Sequence, residues 1–360
     1  HQPIIFMQCG KIRFTADAKS QMENQGFKRL LIPRFTSFRS ITSDRKTYVQ
    51  ITQELSEDKV RNEFVMEDVK AAIQKGRTPL VLTTRTAHVK VLAQMLMPFA
   101  DHVIQLIGAD SAKEKRLALQ KLQSIPTSES LVIVATGKYV GEGFDYPRLD
   151  TLFLTMPIAW KGNVEQYAGR LHREYEGKSE VCIYDYVDIR VPLCDSMYRK
   201  RLKGYIKAGY GKNVTSPAPD KKSQELIYEQ NNYEAAFRND LAKAKHSVVI
   251  AVPKVKFKYK PSIMSALANL LHNGVSVVVH VKEEGANETE LSNAGMVVLC
   301  NKEQTLQCAI IDKSIVWYGN INFFGYNSET NNVMRIADHK IANEMMEILY
   351  SATENKVNGG

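Results

Sequence analysis

Short apolar runs alternate along most of the chain with longer stretches in which apolar residues recur at helical spacing. From about Asp58 the alternation becomes regular. The pattern predicts a helix over 60–74, ending at Lys75-Gly76 with the basic-then-glycine chemistry of a helix stop. The run Pro79-Leu-Val-Leu-Thr83 follows, unbroken, as in a strand buried on both faces. Helix 87–97 leads to strand 103–107, and helix 112–123 to strand 131–135. Strands 151–155 and 180–184 then flank a helix that starts at Val164, with Asn163 as its N-cap. Strand and helix in turn, with short connections, predict an α/β domain: a parallel sheet with helices on both faces.

Its limits fall at 60–212. They take in a basic helix around Tyr198-Arg-Lys-Arg-Leu-Lys-Gly-Tyr205, whose cations suit a solvated face more than a specific contact. Residues 1–59 are polar and irregular and do not read as a complete domain. Residues 213–224, with Ser216-Pro-Ala-Pro219, read as a linker. A second α/β pattern occupies 225–354. Helix 233–245 leads into strand 247–252 and helix 261–271 into strand 275–281. Strands 296–299, 309–311 and 315–318 follow. This pattern reads as a smaller, separate domain.

Composition narrows the class. At 360 residues, 44% hydrophobic and 24% charged, the chain can bury two or three cores and is not a disordered polymer. A net charge of +9 and a pI of about 9.1 suit a polyanionic partner, and equally a solvated basic surface. Cys9, Cys182, Cys194, Cys300 and Cys308 form no CxxC pair and lie mostly in strand-like runs. That points to buried reduced thiols in a cytoplasmic protein rather than to disulfides or zinc. No apolar run approaches the ~20 residues that cross a bilayer. The histidines show no metal-ligand spacing with Cys, Asp or Glu.

The chemistry concentrates in Gln166-Tyr-Ala-Gly-Arg-Leu-His-Arg173. Gln166, Arg170 and Arg173 recur at i, i+4 and i+7, which puts them on one helical face. Two guanidiniums, planar forks charged at any physiological pH, suit a cluster of phosphate oxygens, although a face of solvated arginines has the same spacing. One strand upstream, Leu131-Val-Ile-Val-Ala-Thr136 leads to Gly141-Glu-Gly143-Phe-Asp145. Those glycines permit close backbone approach, and Asp145 can accept from ribose hydroxyls.

In this order the segments resemble superfamily-two helicases of the DEAD/DEAH class. Ala135-Thr136 through Asp145 looks like their motif V, and 166–173 matches the motif VI pattern Q-x-x-G-R-x-x-R. Leu80-Val-Leu-Thr-Thr84 with Arg85 looks like motif IV, and Leu106-Ile-Gly108 like the short motif after it. Tyr184-Asp-Tyr-Val-Asp188 with Met197-Tyr-Arg-Lys-Arg201 is most similar to the restriction-subunit type of bacterial helicase. The resemblance implies a RecA-like second motor domain over 60–212. Arg170 and Arg173 would be arginine fingers, with Gly143, Asp145 and Gln166 at the ATP. Thr84, Arg85, Gly108, Thr136 and Lys138 would lie along a nucleic-acid backbone, DNA or alternatively RNA. No G-x-x-x-x-G-K-[ST] occurs, since Gly177-Lys-Ser179 has His172 where the first glycine should stand, and no acidic box is present. ATP and Mg2+ would then be held mainly by a first motor domain upstream of His1, with 1–59 as its remnant and connector. The fragment alone is expected not to hydrolyse ATP.

The second domain resembles the phospholipase-D family, whose pattern is H-x-K-x-x-x-x-D followed by G-S-x-N. Thr305 stands at the histidine position, Gln307 at the lysine and Asn320 at the serine, leaving Asp312 and Asn322. Without an imidazole nucleophile this degenerate site reads as inactive, serving binding or homodimerisation. Val255-Lys-Phe-Lys-Tyr-Lys260 alternates cations with aromatics, as along a nucleic-acid strand or on a lysine-blunted sheet edge. Two other readings stand beside a motor: a non-catalytic nucleic-acid-binding or assembly module, and a phospholipase-D-type nuclease.

Overall fold

The computed structural model describes residues 27–40, 47–108, 111–141, 144–158, 163–210, 212–213, 224–256, 260–283, 285–302, 304–328 and 331–354. The first unit contains β1 (Lys28–Phe35), α1 (Tyr48–Glu57), α2 (Lys59–Gln74), β2 (Pro79–Thr83), α3 (Thr86–Leu96), β3 (His102–Leu106) and α4 (Ala112–Ser124). It continues with β4 (Leu131–Thr136), α5 (Gly137–Gly141), β5 (Thr151–Leu154), α6 (Asn163–Leu171), β6 (Glu180–Val187) and α7 (Pro192–Lys207). Its six strands are all parallel, in the order β1-β6-β5-β2-β4-β3. This is the α/β sheet the apolar runs predict.

Alternate residues of each strand serve opposite faces, the two-residue period of a pleated strand. Val81, Val132, Val134 and Phe153 pack under Val65 and Val69 of α2 and Val89 and Leu92 of α3. Leu80, Leu82, Ile133 and Leu152 pack on the other side against Leu122, Val140, Ala168 and Leu202. Caps fix where the helices begin. Asp58 accepts from Arg61 N at 2.8 Å, and Ser111 with Glu114 forms a capping box.

The sheet begins earlier than the pattern suggests. Lys28–Phe35, inside the segment assigned to a connector, pairs along β6 with Leu31 opposite Ile183. Two arginines and Pro33 hide this strand from a reading by apolar runs. The basic helix is also corrected: on α7, Tyr198, Arg201, Leu202 and Tyr205 are buried, and Arg201 forms a doubly bonded pair with Asp185, each contact 2.8 Å.

The second unit holds β9 (Ile227–Glu229), α8 (Tyr233–Leu241), β10 (Ser247–Ala251), α9 (Pro261–His272), β11 (Ser276–Val281), α10 (Ala286–Asn293) and β12 (Val297–Cys300). β13 (Cys308–Ile311), β14 (Ile315–Gly319), β15 (Asn332–Ala337) and α11 (His339–Glu354) complete it. Its seven-stranded mixed sheet runs β12-β11-β10-β13-β14-β15-β9. Before it, β7 (Lys212–Asn213) and β8 (Gln224–Glu225) make a two-stranded ribbon, and most of the linker segment lies outside the described residues.

The two units do not stand apart. Tyr198 and Leu202 of α7 share one continuous apolar core with Tyr318, Met334, Ile341 and Met345. Phe35 meets Tyr318 edge-on at 4.9 Å. Arg34 of β1 bridges Asp68 and Glu344 at 2.7 Å each, and Arg190 donates to the Ile348 carbonyl at 2.6 Å. The second unit is thus docked on the β1 edge of the first.

Candidate nucleotide and nucleic-acid site

In parallel α/β sheets, ligands bind beyond the carboxyl ends of the strands. At that edge Thr84 follows β2, Thr136 ends β4 and Gly108 follows β3. Gly108 N donates to Thr136 Oγ1 at 2.9 Å. A Cβ on Gly108 would lie 3.0 Å from Lys138 Cβ, so the bare glycine lets the stem of the exposed Lys138 cross it. Thr84, Thr136 and Lys138 line a cavity of about 390 Å³ with Gly137, Tyr48, Ile158, Tyr167 and Met197. Arg85 turns aside, donating to the Val49 carbonyl at 3.4 Å.

Tyr48 and Ile158 carry no mark in the sequence, and Met197 only that of the 197–201 segment. Tyr167 lies inside the arginine motif, and its hydroxyl donates to the Gly137 carbonyl at 3.1 Å. Tyr48 donates to the Pro157 carbonyl at 2.8 Å. Ile158 is held through its carbonyl, which accepts from Arg201 Nη1 at 3.0 Å, while Tyr205 donates to Asp185 at 2.7 Å. A buried ion pair supplied with such extra hydrogen bonds fixes geometry more than it adds stability. Beneath β2, Thr83 Oγ1 and Asn62 Oδ1 lie 2.8 and 2.9 Å from the two ring nitrogens of His88. Burial, then Arg61 and Arg85, lower its pKa to about 3. The neutral ring with Nε2–H donating to Asn62 and Nδ1 accepting from Thr83 satisfies both contacts.

On α6, Gln166 faces outward, with Oε1 3.7 Å from where a Gly141 Cβ would sit. Arg173 Nε meets Asp145 Oδ1 at 3.2 Å, the side chains 55% and 44% exposed. A pair this exposed contributes little to stability and leaves both groups accessible. Arg170 is half-buried, and its Nε is a buried donor without a hydrogen-bond acceptor. Gly143 lies outside the described residues. The helix starts at Asn163 itself rather than after it. His172 is half-buried in the turn after α6 and packs inward: it stacks on Tyr210, meets its hydroxyl at 3.0 Å, and burial lowers its pKa to about 4.

In the second unit Gln307, Asn320 and Asn322 gather at one end of β13 and β14, whereas Asp312 lies at the far end of β13. Turning the Gln307 amide so that its nitrogen faces inward lets it donate to the Asn320 and Ile321 carbonyls at 2.9 and 3.2 Å. Asn320 accepts from Asn332 N at 2.7 Å, and Asn322 donates to the Lys254 carbonyl at 3.0 Å and accepts from Phe324 N at 2.9 Å. Asp312 accepts from Lys245, His246 and Ser247 N at 2.8 to 2.9 Å, which holds its carboxyl below the usual range against the effect of burial. Thr305 is exposed. These side chains tie loops together. Of the 255–260 segment, 257–259 lie outside the described residues.

Among the described residues no group of His, Cys, Asp or Glu could hold a metal ion, and no helix is long and apolar enough to cross a membrane. Cys182, Cys194, Cys300 and Cys308 are free thiols.

No family model matches the chain. Over 155 residues, 41% of its length, it is 27% identical to the transcript termination protein A18 of Myxoma virus (strain Lausanne), covering 31% of that protein. Over 197 residues, 54% of its length, it is 25% identical to the protein of the same name from Vaccinia virus (strain Ankara), covering 36%. The chain therefore spans about a third of the length of these curated relatives. Among solved structures it is similar to T4 UvsW, with a TM-score of 0.42 and 18% identity over 51% of this chain and 40% of that one. It is also similar to Nuc, a phospholipase D family member from Salmonella typhimurium, with a TM-score of 0.31 and 21% identity over 36% of this chain and 91% of that one.

Proposed function

We propose that this chain supplies the second half of an ATP-dependent helicase or translocase motor, acting on DNA or, alternatively, RNA. The observation that carries the reading is a single sheet edge. It gathers Thr84, Gly108, Thr136 and Lys138 beside α6, which carries Gln166 and Arg170, while Arg173 stands in the bend two residues past the helix end rather than on its face. The sequence similarity to transcript termination proteins supports a nucleic-acid partner.

The residues present fit the γ-phosphate side of a nucleotide. Arg173 is exposed and Arg170 Nε has a donor to spare, so both can turn to phosphate oxygens. Bound ATP with Mg2+ supplies a transferable phosphoryl group, held mainly by a phosphate-loop domain other than this one. Arg173 then neutralises charge on that group, and Thr84, Thr136 and Lys138 grip the strand's phosphates. Nothing in this reading asks 27–354 to hydrolyse ATP alone. A binding-only role is favoured for the second unit, because its signature side chains are spent on backbone hydrogen bonds.

In the full-length protein, Arg173→Ala is expected to lower nucleic-acid-stimulated ATP hydrolysis by roughly 10³-fold, the low end for arginine fingers. Hydrolysis at the wild-type rate would remove the finger assignment.

A further inference from the structure

The triplet Gly177-Lys-Ser179 resembles the end of a phosphate loop but has another use. After α6 the chain turns back at Gly177, whose φ of +78° is the left-handed conformation glycine takes without strain. Lys178 N closes that turn on the Tyr175 carbonyl at 3.1 Å. The lysine side chain then runs inward, and its ammonium donates to three carbonyls: Pro147 at 2.6 Å, Arg173 at 2.7 Å and Leu171 at 3.1 Å. An ammonium has three protons, so all three are committed and none remains for phosphate. One acceptor, Leu171, closes α6, where unpaired carbonyls carry the negative end of the helix dipole, and Arg173 lies two residues past it. The third belongs to the loop that leaves Asp145.

We propose that Lys178 is a positioning residue for the Arg173–Asp145 pair. One cation holds the main chain at Arg173 and, two residues beyond Asp145, at Pro147. It thereby sets where the arginine points relative to the nucleotide loop. Burial lowers the Lys178 pKa to about 8, with Asp150 opposing, so the clamp is a partly desolvated cation held by carbonyl dipoles. Without it, nothing else described ties the Arg173 carbonyl to the 145–147 loop.

The inference rests on the motor reading, and one series separates the two. In the full-length protein, Lys178→Met keeps the apolar stem and removes the donors. It is expected to lower kcat for nucleic-acid-stimulated ATP hydrolysis at least tenfold, with KM for ATP within twofold of wild type. Combined with Arg173→Ala it should cost nothing further, since it acts through that arginine. Circular dichroism and a thermal melt report whether each variant folds. If Lys178→Met does not fold, Lys178→Gln replaces it, with a loss of at least threefold expected. Wild-type kcat in whichever variant folds, or losses that multiply in the double variant, would overturn the clamp. If Arg173→Ala itself were fully active, the motor reading would fail first, before Lys178 was in question.

Discussion

At the scale of single residues, close approach explains more of the site than charge does. A Cβ on Gly137 would sit 2.5 Å from the Tyr167 hydroxyl, at a point where α5 leaves the sheet. Alanine at a helical position gains up to about 1 kcal/mol of propensity over glycine. Here the neighbour is a buried, hydrogen-bonded ring with little room to swing, and overpacking of that kind costs about 1–3 kcal/mol. Gly137→Ala is therefore expected to lower stability, read as a lower denaturant midpoint. The loss should shrink in a Tyr167→Phe background, where the clashing oxygen is gone. The sequence marks Thr84, Thr136 and Lys138 by their place after apolar strands. It gives no sign of Tyr48 and no cavity role for Met197, which reach the same cavity from helices whose facing depends on the whole fold.

Elements repeat the lesson with polar cores. The strands β2, β4 and β5 were legible because each is a run buried at every position, and β3 and β6 because apolar residues still dominate them. β1 was not, because Arg34 enters the core by pairing with Asp68 and Glu344, 34 and 310 residues away. The same kind of hidden context affects the histidines. His88 on α3 and His280 on β11 are buried, His172 is half-buried in the turn after α6, and burial leads the causes that lower their pKa values to about 3, 4 and 4. The unfolded chain takes up protons on these rings below about pH 6.5, whereas the folded chain resists until about pH 4 or below. Their contribution to stability is thus complete above pH 6.5 and is lost as pH falls toward those folded values. A melting temperature that stayed flat from pH 6.5 to 4 in a Glu344→Gln background, where an opposing carboxyl is removed, would contradict this. Substituting His172 by Phe, which keeps the stack on Tyr210, should reduce the dependence.

At the scale of the whole molecule, the strand and helix alternation of both units was readable, but their docking was not. A proline-rich segment suggests independence, yet α7 and α11 close one core across it. Glu344 on α11 reports on that junction. Burial raises its pKa from 4.5 to about 7, against the pull of Arg34, Lys340 and the Arg34 hydrogen bond. A raised carboxyl favours the folded state while protonated, so its contribution falls as pH rises from about 4.5 to 7. Because the histidines change in the opposite sense, the observable is the difference between wild type and Glu344→Gln. The stability of the wild type should decline relative to the variant across that window, and parallel curves would count against it.

The continuous core also has a mechanical meaning. A unit joined through packed aromatics and a buried arginine cannot lag behind the sheet it sits on. Any rotation of the first unit therefore carries with it the second, on which Lys254, Lys256 and Tyr326 are exposed. Under the proposed motor reading, the appended unit would follow the sheet as one body with it rather than swing on a linker of its own.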